Sequence, residues 1–104
     1  MRWAVAAALL GGCASYQEPG VAKSYAYLQQ AEAAAQSHDA GMALAALDGA
    51  ESAWLTTADA QGNPCMYYAK SQVRDIGYAR DSVKHARWDD ARRYIATALA
   101  EVGT

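Results

Sequence analysis

Two histidines, a cysteine and a group of aromatic side chains are the residues of this sequence whose types lend themselves to chemistry. His38 and His85 each fall near an expected helix–helix turn, with Asp39 or Asp81 as a carboxylate companion. An imidazole beside a carboxylate is the beginning of an acid–base pair or a metal site. Asp81 and His85 are four residues apart and share one helix face. No His-Glu cluster or Cys-x-x-Cys pair supplies a third and fourth ligand, so two solvated turn histidines are expected and no metal. Cys65 follows Asn63-Pro64 in the first turn of an expected helix, a place that favours the thiolate. With no base marked out beside it, a packed thiol is expected, an intermolecular disulfide or a reactive nucleophile being the alternatives. The sequence has no Gly-rich phosphate loop, no Gly-x-Ser-x-Gly elbow and no carboxylate pair distinct from ordinary helix surface. Neither a catalytic residue nor a cofactor is therefore assigned.

The tyrosines and tryptophans point to binding rather than catalysis. Tyr67 and Tyr68 are adjacent and cannot both face the core of one helix. Together with Trp88 they are the candidate interaction residues, because aromatic side chains dominate interface hot spots, with packing at a boundary between helices the competing expectation for the tyrosines. Tyr25, Tyr27 and Tyr78 belong to the same class.

The amino-terminal stretch carries a different kind of chemistry. Met1-Arg2 supplies one positive charge, Trp3 to Leu10 is a short apolar run, and Leu10-Gly11-Gly12-Cys13 follows at once. The layout is that of a secretory signal with its cleavage site, and the run is too short to span a bilayer as a helix. Leu10-Gly11-Gly12-Cys13 resembles the lipobox of bacterial lipoproteins. The resemblance implies a signal peptide over residues 1–12 and lipidation of Cys13 as the first mature residue, with Cys65 the one remaining thiol. It also implies an outer-membrane anchor facing the periplasm, since Ala14 and Ser15 lack the aspartate associated with inner-membrane retention. Residues 13–20, ending in Pro19-Gly20, read as the tether, and acyl chains on one cysteine hold a domain at a membrane surface without spanning it.

The remaining stretch, residues 21–104, suffices for one small domain. Alanine dominates it and phenylalanine is absent from the chain, which favours helix but buries little area per side chain. The formal charge of −2 is too small to indicate nucleic acid as a partner. Its distribution is uneven. From Ala14 to Cys65 Lys23 faces Glu18, Glu32, Asp39, Asp48, Glu51 and Asp59, whereas Lys70, Arg74, Arg80, Lys84, Arg87, Arg92 and Arg93 follow later among further acids. An acidic half packed on a mildly basic half is expected.

Apolar spacing near 3.6 predicts four helices. The first runs from Val21 to Gln36 with Val21, Tyr25, Leu28, Ala31 and Ala35 in its stripe. The second starts at an Asp39 cap and carries Ala43, Leu47, Ala50 and Trp54. Thr56 to Gly62 reads as a loop. Asn63-Pro64 opens the third, with Met66, Ala69, Val73, Ile76 and Val83 interrupted by Arg80. The fourth begins near Trp88 with Asp89 and Asp90 in its first turn and carries Ala91, Ile95, Ala98 and Val102 up to Gly103.

The spacing of Ala43, Leu47, Ala50 and Trp54 recurs 48 positions later in Ala91, Ile95, Ala98 and Val102. The segments Asp39 to Leu44 and Arg87 to Arg92 resemble the junction of a tetratricopeptide helix pair, although the period differs from that family's and only Trp88 supplies the junction aromatic. The fold class expected is all-α: two helical hairpins in a small antiparallel bundle, weakly tetratricopeptide-like. The function expected is that of a lipid-anchored envelope protein acting as a helical interaction or scaffold module. Its partners are the membrane, through lipid on Cys13, and an envelope protein. Homo-oligomers, a self-associating structural lipoprotein and a small envelope enzyme using Cys65 or a histidine are the alternatives.

Overall fold

The computed structural model describes residues 19–61 and 65–102. They form four helices: α1 (Pro19–Gln36), α2 (Ala40–Gln61), α3 (Cys65–Lys84) and α4 (Trp88–Val102). No strand occurs among the described residues. Consecutive helices pack as neighbours and α4 returns to α1, so the two hairpins α1–α2 and α3–α4 close into a ring rather than an open row. This is the antiparallel all-α bundle that the spacing predicts.

The core is mostly alanine. Ala31, Ala35, Ala43, Ala50, Ala79, Ala91 and Ala98 are fully buried, with Leu28, Leu47, Trp54, Ile76 and Ile95 supplying the bulk. Small side chains let helix axes come close, and the few large ones then fill the remaining space. Every stripe residue expected on α2 is buried, as are Val21, Leu28, Ala31 and Ala35 of α1. Tyr25 is partly covered. On α4, Ala91, Ile95 and Ala98 face inward while Ala96 is exposed.

Both hairpins turn in the same way. In the first, His38 adopts the left-handed conformation at φ 56°, its N–H reaching Ala35 O and the next N–H, of Asp39, reaching Ala34 O at 2.8 Å. In the second, Ala86 sits at φ 57°, its N–H donating to Val83 O and that of Arg87 to Ser82 O at 2.8 Å. The paired 5→2 and 6→1 bonds are those of a Schellman ending. The two turns lie 48 positions apart, as do the buried sets Ser24, Leu28, Ala31, Ala35 and Gln72, Ile76, Ala79, Val83. The repeat therefore extends through whole hairpins and not only through α2 and α4. Asp39 then caps α2, its Oδ1 accepting from Met42 N at 3.1 Å.

Three boundaries and stripes differ from expectation. α1 starts at Pro19, because proline is at home in a first helical turn whose N–H groups have no partner; Pro19 and Gly20 thus belong to a helix and not only to a tether. α2 runs through Thr56 to Gln61, where a loop is expected. The Thr56 hydroxyl donates to Ser52 O at 2.9 Å and is satisfied inside the helix, and the alanines that follow favour continuation. On α3 the buried row is Gln72, Ile76, Ala79 and Val83, with Val73 only partly covered; Arg80 lies beside that row and does not break it. Residues 62–64, which carry the expected Asn63-Pro64 start, lie outside the described residues, as do Gly103 and the segment that contains Leu10-Gly11-Gly12-Cys13.

Candidate functional site

The end of the bundle that carries the two turns gathers most of the exposed chemistry. The Schellman ending turns His38 out of α1, and the start of α4 brings up Trp88 from the other hairpin. Their rings stack, with centroids 4.9 Å apart and planes 4° from parallel. His38 is exposed and Trp88 partly covered, so the indole is held in place by the imidazole on one side and the bundle on the other. Met42, one turn into α2, is 62% exposed. Trp88 was a candidate interaction residue from sequence. Met42 was not; it stands outside the apolar stripe of α2, which is the signal that marks it.

Charges ring the second turn. Asp81 accepts from Arg87 Nη2 at 3.1 Å and faces His85 Nδ1 at 3.5 Å, while His85 Nδ1 also lies 2.9 Å from Asp81 O. Asp90 pairs with Arg87 and Arg93. Asp81 and His85 thus share a face, as their spacing requires. All these groups are exposed or nearly so, so the pairs contribute little stability each and leave a polar collar around the aromatic tip. No group of three or more His, Cys, Asp and Glu side chains gathers among the described residues. The other two candidates, Tyr67 and Tyr68, and Cys65 fall on the opening turns of α3, and their side chains lie outside the described set. Tyr78, half exposed, tilts against Tyr94 at 5.2 Å on the α3–α4 face.

Farther along the bundle the acidic and basic halves meet. Arg80 of α3 reaches Asp48 Oδ1 at 3.0 Å and Glu51 Oε1 at 2.6 Å on α2, which is the charge complementarity that the sequence leads one to expect. A shallow groove of about 330 Å³ lies between α1 and α2, lined by Lys23, Tyr27, Gly49, Ser52 and neighbours.

The interior is polar at one level. Counted from the left-handed turn residues, Ser24 and Gln72 stand fourteen positions before, Trp54 sixteen after and Glu101 fifteen after, so the four helices each bring one polar group to a cross-section roughly 21–24 Å from the turns. Gln72 Nε2 donates to Ala98 O at 3.0 Å and to Glu101 Oε1 at 2.8 Å. The Ser71 hydroxyl donates to Glu101 Oε2 at 3.0 Å. Ser24 Oγ, Trp54 Nε1, Gln72 Oε1 and Asp75 Oδ2 are buried with no hydrogen-bond partner. Burial, reinforced by the Glu101 charge and opposed by Arg74, pushes the Asp75 carboxyl above its ordinary 3.8. Sequence reasoning missed this layer, since apolar periodicity gives no weight to Gln72 or Asp75.

No family model, no curated protein and no solved structure matches the chain.

Proposed function

We propose that the chain is a helical interaction module of the bacterial cell envelope, held at the membrane by lipid on Cys13 and engaging a protein partner through its turn-end tip. The observation that carries the binding half is the His38–Trp88 stack, with Met42 exposed in the first turn of α2. An indole fixed by a neighbouring ring loses little freedom when it is covered, and Trp and Met are enriched at interfaces. The anchoring half is supported by the residues Leu10-Gly11-Gly12-Cys13, and no helix among the described residues is long and apolar enough to cross a membrane. On this reading the outer membrane's periplasmic face is the location.

Two measurements test the halves separately. Expressed in a diderm bacterium, the chain is expected to incorporate labelled fatty acid and to lose its first twelve residues, and Cys13→Ser to abolish both; equal labelling of the two forms defeats the anchoring claim. Capture from native membranes with wild type and with Trp88→Ala/Met42→Glu tests the tip. A partner retained equally by both, with helicity unchanged, removes the tip as the binding surface.

A further inference from the structure

The two ends of the Gln72 amide stand in different situations. Its Nε2 hydrogens both go to α4, to Ala98 O and to Glu101 Oε1. Its Oε1 is buried and accepts nothing, and three residues along the same face of α3 Asp75 Oδ2 is buried and accepts nothing either. Buried acceptors without a donor are rare in folded proteins. Side chains three apart on a helix are neighbours, so a proton shared between these two acceptors would give each a partner.

We propose that folding favours Asp75 as the neutral carboxylic acid, its Oδ2 proton donated to Gln72 Oε1, so that in the acid form Asp75, Gln72 and Glu101 make one latch that holds the last turns of α4 on α3 and lets them go when the proton leaves. The Gln72 amide is the relay: it accepts from α3 and donates to α4. Loss of the proton to solvent leaves Asp75 a carboxylate, strips Gln72 Oε1 of its donor, and sets a second negative charge near Glu101.

The surroundings favour the acid form. On α3, Arg74 Nε lies 3.6 Å from Asp75 Oδ1, but its side chain is 58% exposed and solvent weakens its pull. On α4 the facing charge is Glu101, which opposes ionisation. On α2 the acids at this height, Asp48 and Glu51, are engaged by Arg80. On α1, diagonal to α3, the buried residues at this height are Ser24 and Leu28, while Lys23 is exposed and Glu32 partly so. The carboxyl stands higher in the folded chain than the 3.8 of an unperturbed aspartate. Its contribution to stability is therefore complete below the unfolded value and is lost as pH rises through the folded one.

Carboxyl-carbon NMR of the full chain across the acid range reads the proton directly, and amide exchange at Leu99, Ala100 and Glu101, corrected for intrinsic rates, reads the latch. The Asp75 signal is expected to titrate above the ordinary aspartate range. Protection at the three amides is expected to fall through the same interval, by about tenfold for each pH unit of displacement. Asp75→Asn, whose Nδ2 donates where the acid did, is expected to abolish the fall in protection as pH rises through the Asp75 titration. Glu101→Gln is expected to move the Asp75 titration downward. An Asp75 carboxyl that titrates at or below 3.8, or exchange at α4 that follows one pH curve in wild type and Asp75→Asn, overturns the proposal; the wild-type titration decides even if a variant does not fold.

Discussion

One non-glycine residue in each turn stands where a Schellman ending favours glycine. His38 and Ala86 both occupy the left-handed region, where a side chain with a Cβ costs roughly 1–2 kcal/mol and glycine costs nothing steric. His38 recovers part of that cost by stacking on Trp88, whereas Ala86 is exposed and gains nothing comparable. Ala86→Gly is therefore expected to stabilise by about 1 kcal/mol, seen as a rise of several degrees in Tm in a thermal melt; a fall would mean that the turn relaxes without strain. The helical glycines divide in the same way. A Cβ at Gly77 meets nothing within 4 Å, but one at Gly49 lies 2.7 Å from the Tyr27 ring. Gly77→Ala is expected to gain about 0.5–1 kcal/mol from helix propensity. Gly49→Ala is expected to lose about 1–3 kcal/mol by overpacking and to become stabilising in a Tyr27→Ala background. Denaturant melts of Gly77→Ala, Gly49→Ala, Tyr27→Ala and the Tyr27→Ala/Gly49→Ala double variant check both signs.

Ala91 on α4 is fully buried and Ala96, five residues on, is exposed. Ala91→Phe is expected to cost at least about 1–3 kcal/mol, because a ring at a close helix contact forces the axes apart. Ala96→Glu is expected to stay within about 0.5 kcal/mol. Circular dichroism melts that rank the two the other way would reverse the face assignment of α4. That assignment was legible from sequence because Ala91, Ile95 and Ala98 keep helical spacing. The same holds for Ala43, Leu47, Ala50 and Trp54. What escaped was chosen by polarity. Thr56 and its followers resemble a loop until the Thr56 hydroxyl finds Ser52 O, and Gln72 occupies a core position that apolar periodicity assigns to its neighbour Val73. The offset of 48 that links Ala43 to Ala91 also links Ser24 to Gln72 and Leu28 to Ile76, so the repeat, carried back into α1 and α3, was the available signal for the polar level. At the tip, Trp88 was legible as the aromatic at the junction that opens the fourth helix. Its stack with His38 joins residues fifty positions apart, a relation that spacing within one helix does not contain.

Ring closure makes the two hairpins one cooperative body, since each lends one flank to the other and neither covers its Ala-rich face alone. Unfolding is expected to be a single transition, with far-UV circular dichroism and the fluorescence of buried Trp54 giving coincident midpoints; separated midpoints would show that one hairpin melts first. The even number of antiparallel helices has a mechanical side as well. Both turns lie at one end, and the first residue of α1 lies at the other. The eighteen residues of α1 rise about 27 Å between them. The bundle is thus a short post, with the stacked His38 and Trp88 at the end away from the start of α1. Whatever meets those rings meets them about 27 Å from the start of α1, and lengthening or shortening all four helices together by whole turns would move that meeting point in steps of about 5.4 Å.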